Sequence, residues 1–271
     1  MTGKIINNIE QLDRQQKETN FENSLKYAEL LQQGIFPKQR HFDRIFSESF
    51  ILFKPLQIIS GDFYWLAESN GLIYLIVGDC TGHGAPGAIL SVLISGLFDY
   101  VILNKQVKKT HKILREVDNR FIESFSSPEI KNKFNNDWVD VSLCCIEPET
   151  KTIYFSGAKR NALIINEKGT KVLKGCPYSI GGWQMESNRQ YGSTKLKYKK
   201  GDMLYLGTDG FQDQKGGASG KRYKASTLHK FIADNAKHKM NSQKELLNDE
   251  LKQWMGEYKQ TDDICIVGVK L

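Results

Sequence analysis

Cysteine is sparse and poorly arranged in this sequence. Cys80, Cys144, Cys145, Cys176 and Cys265 are odd in number and form no C-x-x-C pair, which argues against a disulfide framework and against a zinc clip. Reduced thiols are expected. The five histidines, His41, His83, His111, His229 and His238, include no H-E-x-x-H pair. Proline is scarce at 6 residues in 271, so proline-rich and collagen-like organisation is excluded. No Gly-Lys-Ser or Gly-Lys-Thr is present, which removes the P-loop nucleotide hydrolases. Runs of about 20 apolar residues are missing, and the opening MTGKIINNIEQLDRQQ lacks the apolar centre of a signal peptide. A cytoplasmic protein with no membrane span is therefore expected. The basic excess is small, 38 Lys+Arg against 31 Asp+Glu for a net +7. The lysines are dispersed over 105–112, 195–200 and 215–230 with no zinc-finger, RRM or bZIP signature, so nucleic acid is not an expected partner.

What remains is an ordinary globular composition, 40% hydrophobic and 25% charged. Residues 1–20 are polar and weakly periodic, an expected N-terminal arm. Over 21–40 an apolar stripe of Phe21, Leu25, Ala28, Leu31 and Ile35 predicts an amphipathic linker helix ending near Gly34 and Pro37. This stripe suits docking on its own domain or pairing with a second copy of the chain through residues 21–36. The remaining span, 41–271, is expected to form one domain. Its short β-rich runs lie at 50–54, 63–67, 72–77, 139–146, 152–156, 162–166, 203–206 and 264–269, separated by turn chemistry such as Ser69-Asn70-Gly71. Helices are expected over 86–103, over 110–125 and between 226 and 258. The first is apolar nearly all round and should be buried. Helices covering mostly antiparallel sheets make a layered α+β fold.

Acidic residues stand at the ends of these runs. A two-residue Asn70-Gly71 turn fixes the hairpin register and sets Asp62 opposite Asp79, where like charges destabilise unless a cation offsets them. Asp209 follows one strand and Asp262-Asp263 precede another. If these strands run antiparallel in one sheet, all the carboxylates share an edge. An oxygen-only set suits Mg²⁺ or Mn²⁺, and several carboxylates suggest more than one ion, the arrangement that activates water and stabilises a phosphoryl displacement. Each acid taken alone is also an ordinary turn residue.

The glycine-rich loop G-D-C-T-G-H-G-A-P-G-A (78–88) joins a strand to a helix, where backbone amides favour an anion. Its Gly82-x-Gly84-x-x-Gly87 spacing also matches the dinucleotide fingerprint, which makes an oxidoreductase the rival enzyme class. Against that rival, the preceding strand is the second arm of a hairpin, and no acidic residue ends a second parallel strand about 20 positions on. His83 is a candidate proton donor to a leaving alkoxide, or a residue that only shapes the loop.

S-G-D-F-Y-W (60–65), the 78–88 loop, G-T-D-G-F-Q-D (207–213) and T-D-D-I (261–264) together resemble the successive motifs of the SpoIIE-type serine phosphatases, the bacterial branch of the metal-dependent protein phosphatase 2C superfamily. The resemblance implies two packed, mostly antiparallel sheets flanked by helices and a dinuclear Mn²⁺ or Mg²⁺ centre, with a third ion as an option. The implied reaction is hydrolysis of phosphoserine or phosphothreonine on a regulatory protein, of which an anti-sigma-factor antagonist is one example. By resemblance, Asp79 bridges the metals and the backbone carbonyl of Cys80 is its partner ligand. Asp209 serves the second metal, Asp62 lies near the first, and Asp262 is a ligand with Asp263 beside it. The segment Y-A-E-L-L-Q-Q-G-I-F-P (27–37) resembles the linker that carries sensor signals and pairs subunits in that family. No recognisable sensor precedes it in this sequence, so either a separate sensor protein is a partner or no input is needed. Lys159 and Arg160 stand where such phosphatases tend to have neutral residues, and suit either a phosphorylated substrate or the surface. A phosphoprotein-binding module without chemistry is the alternative outside enzymes.

Overall fold

The computed structural model describes residues 2–125, 136–182 and 189–271, with backbone alone for residues 2–10 and 12. In chain order the elements begin with α1 Thr2–Ile35, α2 Gln39–Ile45, β1 Glu48–Lys54, β2 Asp62–Ser69 and β3 Leu72–Cys80. Next come α3 Gly84–Asp99, prolonged by a π-helical turn Tyr100–Asn104, and α4 Thr110–Ser124. The middle of the chain supplies β4 Trp138–Glu147, β5 Thr152–Ala158, β6 Ala162–Asn166, β7 Gly169–Leu173, β8 Ile180–Gly181, β9 Thr194–Lys197 and β10 Met203–Gly207. After α5 Gly210–Asp213 follow the small hairpin β11 Lys215–Gly216 and β12 Lys221–Arg222, then α6 Ala225–Asn235, α7 Met240–Met255 and β13 Ile264–Lys270.

Two antiparallel sheets stack face to face. One has the order β1-β13-β10-β6-β7, the other β2-β3-β4-β5-β9 with β8 also paired to β4. Their strands are near-continuous apolar runs because both faces are covered, and alternate side chains enter different cores. In β3 and β4, Tyr74, Ile76, Leu143 and Cys145 pack under α3 and α4 with Ile94, Phe98, Leu114 and Val117. Their neighbours Leu75, Val77, Cys144 and Ile146 turn between the sheets to meet Ile164, Leu204, Leu206, Cys265 and Val267. Across the second sheet, Leu163, Tyr205, Ile264 and Ile266 meet Leu228, Ile232, Leu247 and Leu251 of α6 and α7. The result is a helix-sheet-sheet-helix sandwich, the expected fold class.

The helix from Gly84 to Asn104 is long and apolar enough, by length and composition, to cross a membrane. Half of it is buried, with Ile94, Phe98 and Val101 wholly inside the first core, as in the central helix of a globular domain. The arm expected over 1–20 is instead helical from Thr2 onward and continuous with the linker. No glycine or proline interrupts residues 4–33, and Asp13–Lys17 and Glu22–Lys26 pair at 2.7 Å along it. The apolar stripe of α1 is not folded back on the domain: Phe21 is 65% exposed and Leu31 54%. Unpredicted β7 and β9 are edge strands, G-T-K-V-L and T-K-L-K, whose polar outward positions hide the alternation.

Candidate metal centre

Asn70 and Gly71 both have positive φ, 53° and 75°, as a two-residue hairpin turn of the twist-compatible kind requires. The register that follows is the predicted one: Asp62 pairs with Asp79. On the next strand Asp140 pairs with Asp79 from the other side. Three carboxylates thus stand abreast on β2, β3 and β4, all at the same edge of one sheet. Asp209 and Asp262 belong to the other sheet, after β10 and before β13, which are paired there with Gly207 opposite Ile266. Convergence within a single sheet is therefore not how the site forms; the stacking of two sheets brings the ends together.

Burial is the main cause that pushes the carboxyls of Asp62, Asp79, Asp140 and Asp262 above the ordinary range. For Asp62 the charge of Asp79 adds to it, and the Thr208 hydroxyl, donating to Asp62 Oδ2 at 2.7 Å, opposes it. Arg160 is the buried cation among them, 8% exposed. Its Nη2 contacts Asp79, lies 2.7 Å from Asp209 and 3.7 Å from Asp140. Among the described residues, no three acidic, histidine or cysteine side chains close to the spacing of a formed metal site. The point shared by Asp79, Asp140 and Asp209 is held by that nitrogen. The chemistry of the set nevertheless fits a hard divalent cation: the donors are carboxylate oxygens, several are desolvated, and one guanidinium faces three acids.

The other predicted residues divide. Asp263 is buried and both its oxygens accept backbone amides, Leu56 N at 2.6 Å and Gly61 N at 2.8 Å, so it ties the 55–61 loop to β13. Among the described residues Asp262 Oδ1 accepts from the neighbouring Asp263 N alone, at 2.9 Å, and Asp209 bears on its charge. The carbonyl of Cys80 lies beside Gly61, where a Cβ would come within 3.1 Å of it, while its thiol is buried, and burial pushes the thiol up, away from nucleophilic use. Exposed His83 stands at the N-cap position of α3 without a side-chain capping bond, and its Nδ1 bonds to Gln57 Nε2 at 3.1 Å; no hydrogen bond joins it to the acids among the described residues. The loop packs backbone on backbone, since a Cβ on Gly87 would stand 2.3 Å from Gly82 O. Lys159 is exposed and sits 5.9 Å over the Trp138 ring. Sequence reasoning missed Asp140 and Thr208. Thr208 lies inside the recognised G-T-D-G motif; Asp140 needed a β3–β4 register that no short turn declares.

The family description SpoIIE, stage II sporulation protein E, matches residues 69–271. The chain belongs to the SpoIIE family. Its fold is that of the PP2C-type phosphatase domains. The SiaA-PP2C domain of Pseudomonas aeruginosa is similar with a TM-score of 0.83 and 29% identity, over 94% of this chain and 98% of that one. The PP2C phosphatase domain of Bacillus subtilis SpoIIE, solved with a fragment of its regulatory domain, superposes at a TM-score of 0.64 and 15% identity, covering 83% and 63% of the two chains. RsbX in complex with magnesium gives 0.56 and 16%, covering 82% and 94%. The last two likenesses concern the fold. No curated protein matches the chain.

Proposed function

We propose that this SpoIIE-family domain is a metal-dependent protein serine/threonine phosphatase acting on a phosphorylated regulatory protein. The observation that carries the proposal is the row Asp62, Asp79 and Asp140 at one sheet edge, facing Asp209 and Asp262 from the other. Asp79, the Cys80 carbonyl, Asp209, Asp62 and Asp262 would hold two Mn²⁺ or Mg²⁺ ions, a choice supported by the magnesium in the RsbX structure. Bound there, such ions lower the pKa of water and neutralise phosphoryl oxygens in an in-line displacement. The protein's own part is positional. Thr208 orients Asp62, and Asp263 fixes the loop that delivers Gly61 and Asp62. Ser179 donates to Asp140 at 2.5 Å and also lines a cavity of about 250 Å³ with Lys159, Trp138 and Arg189, a basic and aromatic cleft suited to a phosphopeptide.

The exposed stripe of α1 supports a homodimer through residues 21–36, and the regulatory-domain fragment solved with the Bacillus subtilis phosphatase domain supports control by a regulatory region, a role that a separate sensor protein would fill here. The proposal is tested by phosphate release from a phosphoserine peptide with Mn²⁺ and then with chelator. Release that requires the metal, is abolished in Asp79→Asn and persists in Cys80→Ala is the expected pattern. Phosphopeptide binding without release under any metal condition would instead identify a silent binding module.

A further inference from the structure

Arg160 holds the point that the reading above gives to a metal, and we propose that its guanidinium is a displaceable counter-ion which divalent metal must evict from Asp79 and Asp209. The inference rests on those two acids being ligands. Its support lies in the way the arginine is held. Guanidinium groups normally grip carboxylates through two parallel N–H bonds, yet here the close approaches to Asp79, Asp209 and Asp140 all run through the single atom Nη2. One positive centre among three carboxylates is the geometry of an ion rather than of a fork. Arg160 Nε, meanwhile, is buried with no hydrogen-bond partner among the described residues, a desolvated donor that a native contact normally satisfies. The side chain is therefore placed by the charge of the acids at the expense of its own hydrogen bonding.

Its backbone, by contrast, is fixed. Arg160 N donates to Ala158 O at 2.7 Å. Its carbonyl lies where a Cβ on Gly157 or Gly175 would come within 2.1 or 2.3 Å. Lys159, with φ 61°, turns the chain from one sheet to the other. Displacement is accordingly a side-chain rotation. Space for it adjoins the site: Arg160, Thr208, Gln212 and His229 line a cavity of about 140 Å³. In the metal-free protein the guanidinium offsets repulsion among the acids. Metal binding must then overcome this internal competitor, which raises the metal concentration at which the site fills.

The test compares the unaltered 271-residue chain with Arg160→Gln in Mn²⁺ titration calorimetry and in thermal unfolding with chelator. Loss of the competitor should tighten Mn²⁺ binding by about tenfold or more while lowering the metal-free melting temperature, which saturating Mn²⁺ restores. Equal or weaker Mn²⁺ binding by Arg160→Gln, with the unaltered protein binding normally, overturns the competition and leaves the phosphatase reading intact. Failure of both proteins to bind Mn²⁺ overturns both. Should Arg160→Gln not fold, the arginine side-chain ¹⁵Nε spectrum of the unaltered protein decides, with Arg160→Lys assigning the signal. Saturation with Mg²⁺ should shift the buried Arg160 Nε–H resonance and open it to solvent exchange; an unmoved, protected resonance at saturation refutes the proposal.

Discussion

Thr208→Val removes one hydroxyl and keeps the side chain's shape, so its effect isolates two hydrogen bonds at the base of the site. Thr208 Oγ1 donates to Asp62 Oδ2 at 2.7 Å and accepts from Cys265 N at 2.9 Å. Thr208, Asp62 and Cys265 are 5%, 1% and 0% exposed, so water does not replace the lost partner. Leaving a buried amide unsatisfied costs about 1–3 kcal/mol, and loss of a hydrogen bond to a charged group about 1.5–3 kcal/mol. Because one hydroxyl serves both, the combined loss is taken as roughly 2–5 kcal/mol rather than a simple sum. For a domain of this size that lowers the melting temperature by about 5–15 °C. The assay is thermal unfolding by circular dichroism at pH 8 in chelator, with Thr208→Ser as the control that keeps the hydroxyl. A Thr208→Val melting temperature within about 1 °C of the unaltered protein would refute the coupling of β10 to Asp62.

Asp62→Asn tests the buried charge through pH. The native Asp62 carboxyl is raised above the unfolded value of about 3.9, so the stability it contributes is complete below about pH 4 and is lost as pH rises through the native value. Relative to the unaltered protein in chelator, Asp62→Asn should therefore gain stability above pH 4, by up to roughly 1.4 kcal/mol per pH unit in urea denaturation; a flat difference from pH 4 to 8 contradicts the shift. Two glycines of α3 should respond with opposite signs. Gly96→Ala meets nothing within 4 Å and should stabilise by about 0.5–1 kcal/mol, whereas Gly87→Ala, against Gly82 O, should cost about 1–3 kcal/mol in the same denaturation assay. Gln32 of α1 donates to Ser60 O at 2.6 Å and accepts from Ser60 N at 3.1 Å. Gln32→Ala should speed hydrogen exchange at the Ser60 amide by about tenfold or more; unchanged protection would show that α1 does not brace the loop before Asp62.

Local chemistry made the central hairpin legible. A turn that needs two positive φ values is declared by Asn70-Gly71, and a period of two then places every residue from Asp62 to Asp79. The helix over 84–104 was legible from its apolar surface, with its start near Pro86. The polar edges were not, because an outward-facing strand such as T-K-L-K carries little pattern of its own. Nor was the continuity of α1, since helical backbone through residues 2–20 comes from the absence of breakers and from pairs four apart rather than from an apolar stripe.

The site divides along the same line. Asp62, Asp79, Asp209 and Asp262 are adjacent to strand ends set by short turns or motifs, and could be found one by one. Asp140 lies across a β3–β4 pairing whose connection includes α3 and α4, so only packing of those helices on the sheet decides which strand residue meets Asp79. Arg160 is similar: its neighbour Lys159 is exposed, and no one-dimensional pattern says which of two consecutive cations turns inward. The positive φ at Lys159 and the missing side chains at Gly157 and Gly175 send Arg160 inward. The stacking of the two sheets then makes the point between Asp79, Asp140 and Asp209 the place where its charge is needed. Acids that converge by tertiary packing are relieved by taking up a proton or by a counter-charge, and a residue at the crossing between the sheets is placed to supply that charge when metal does not.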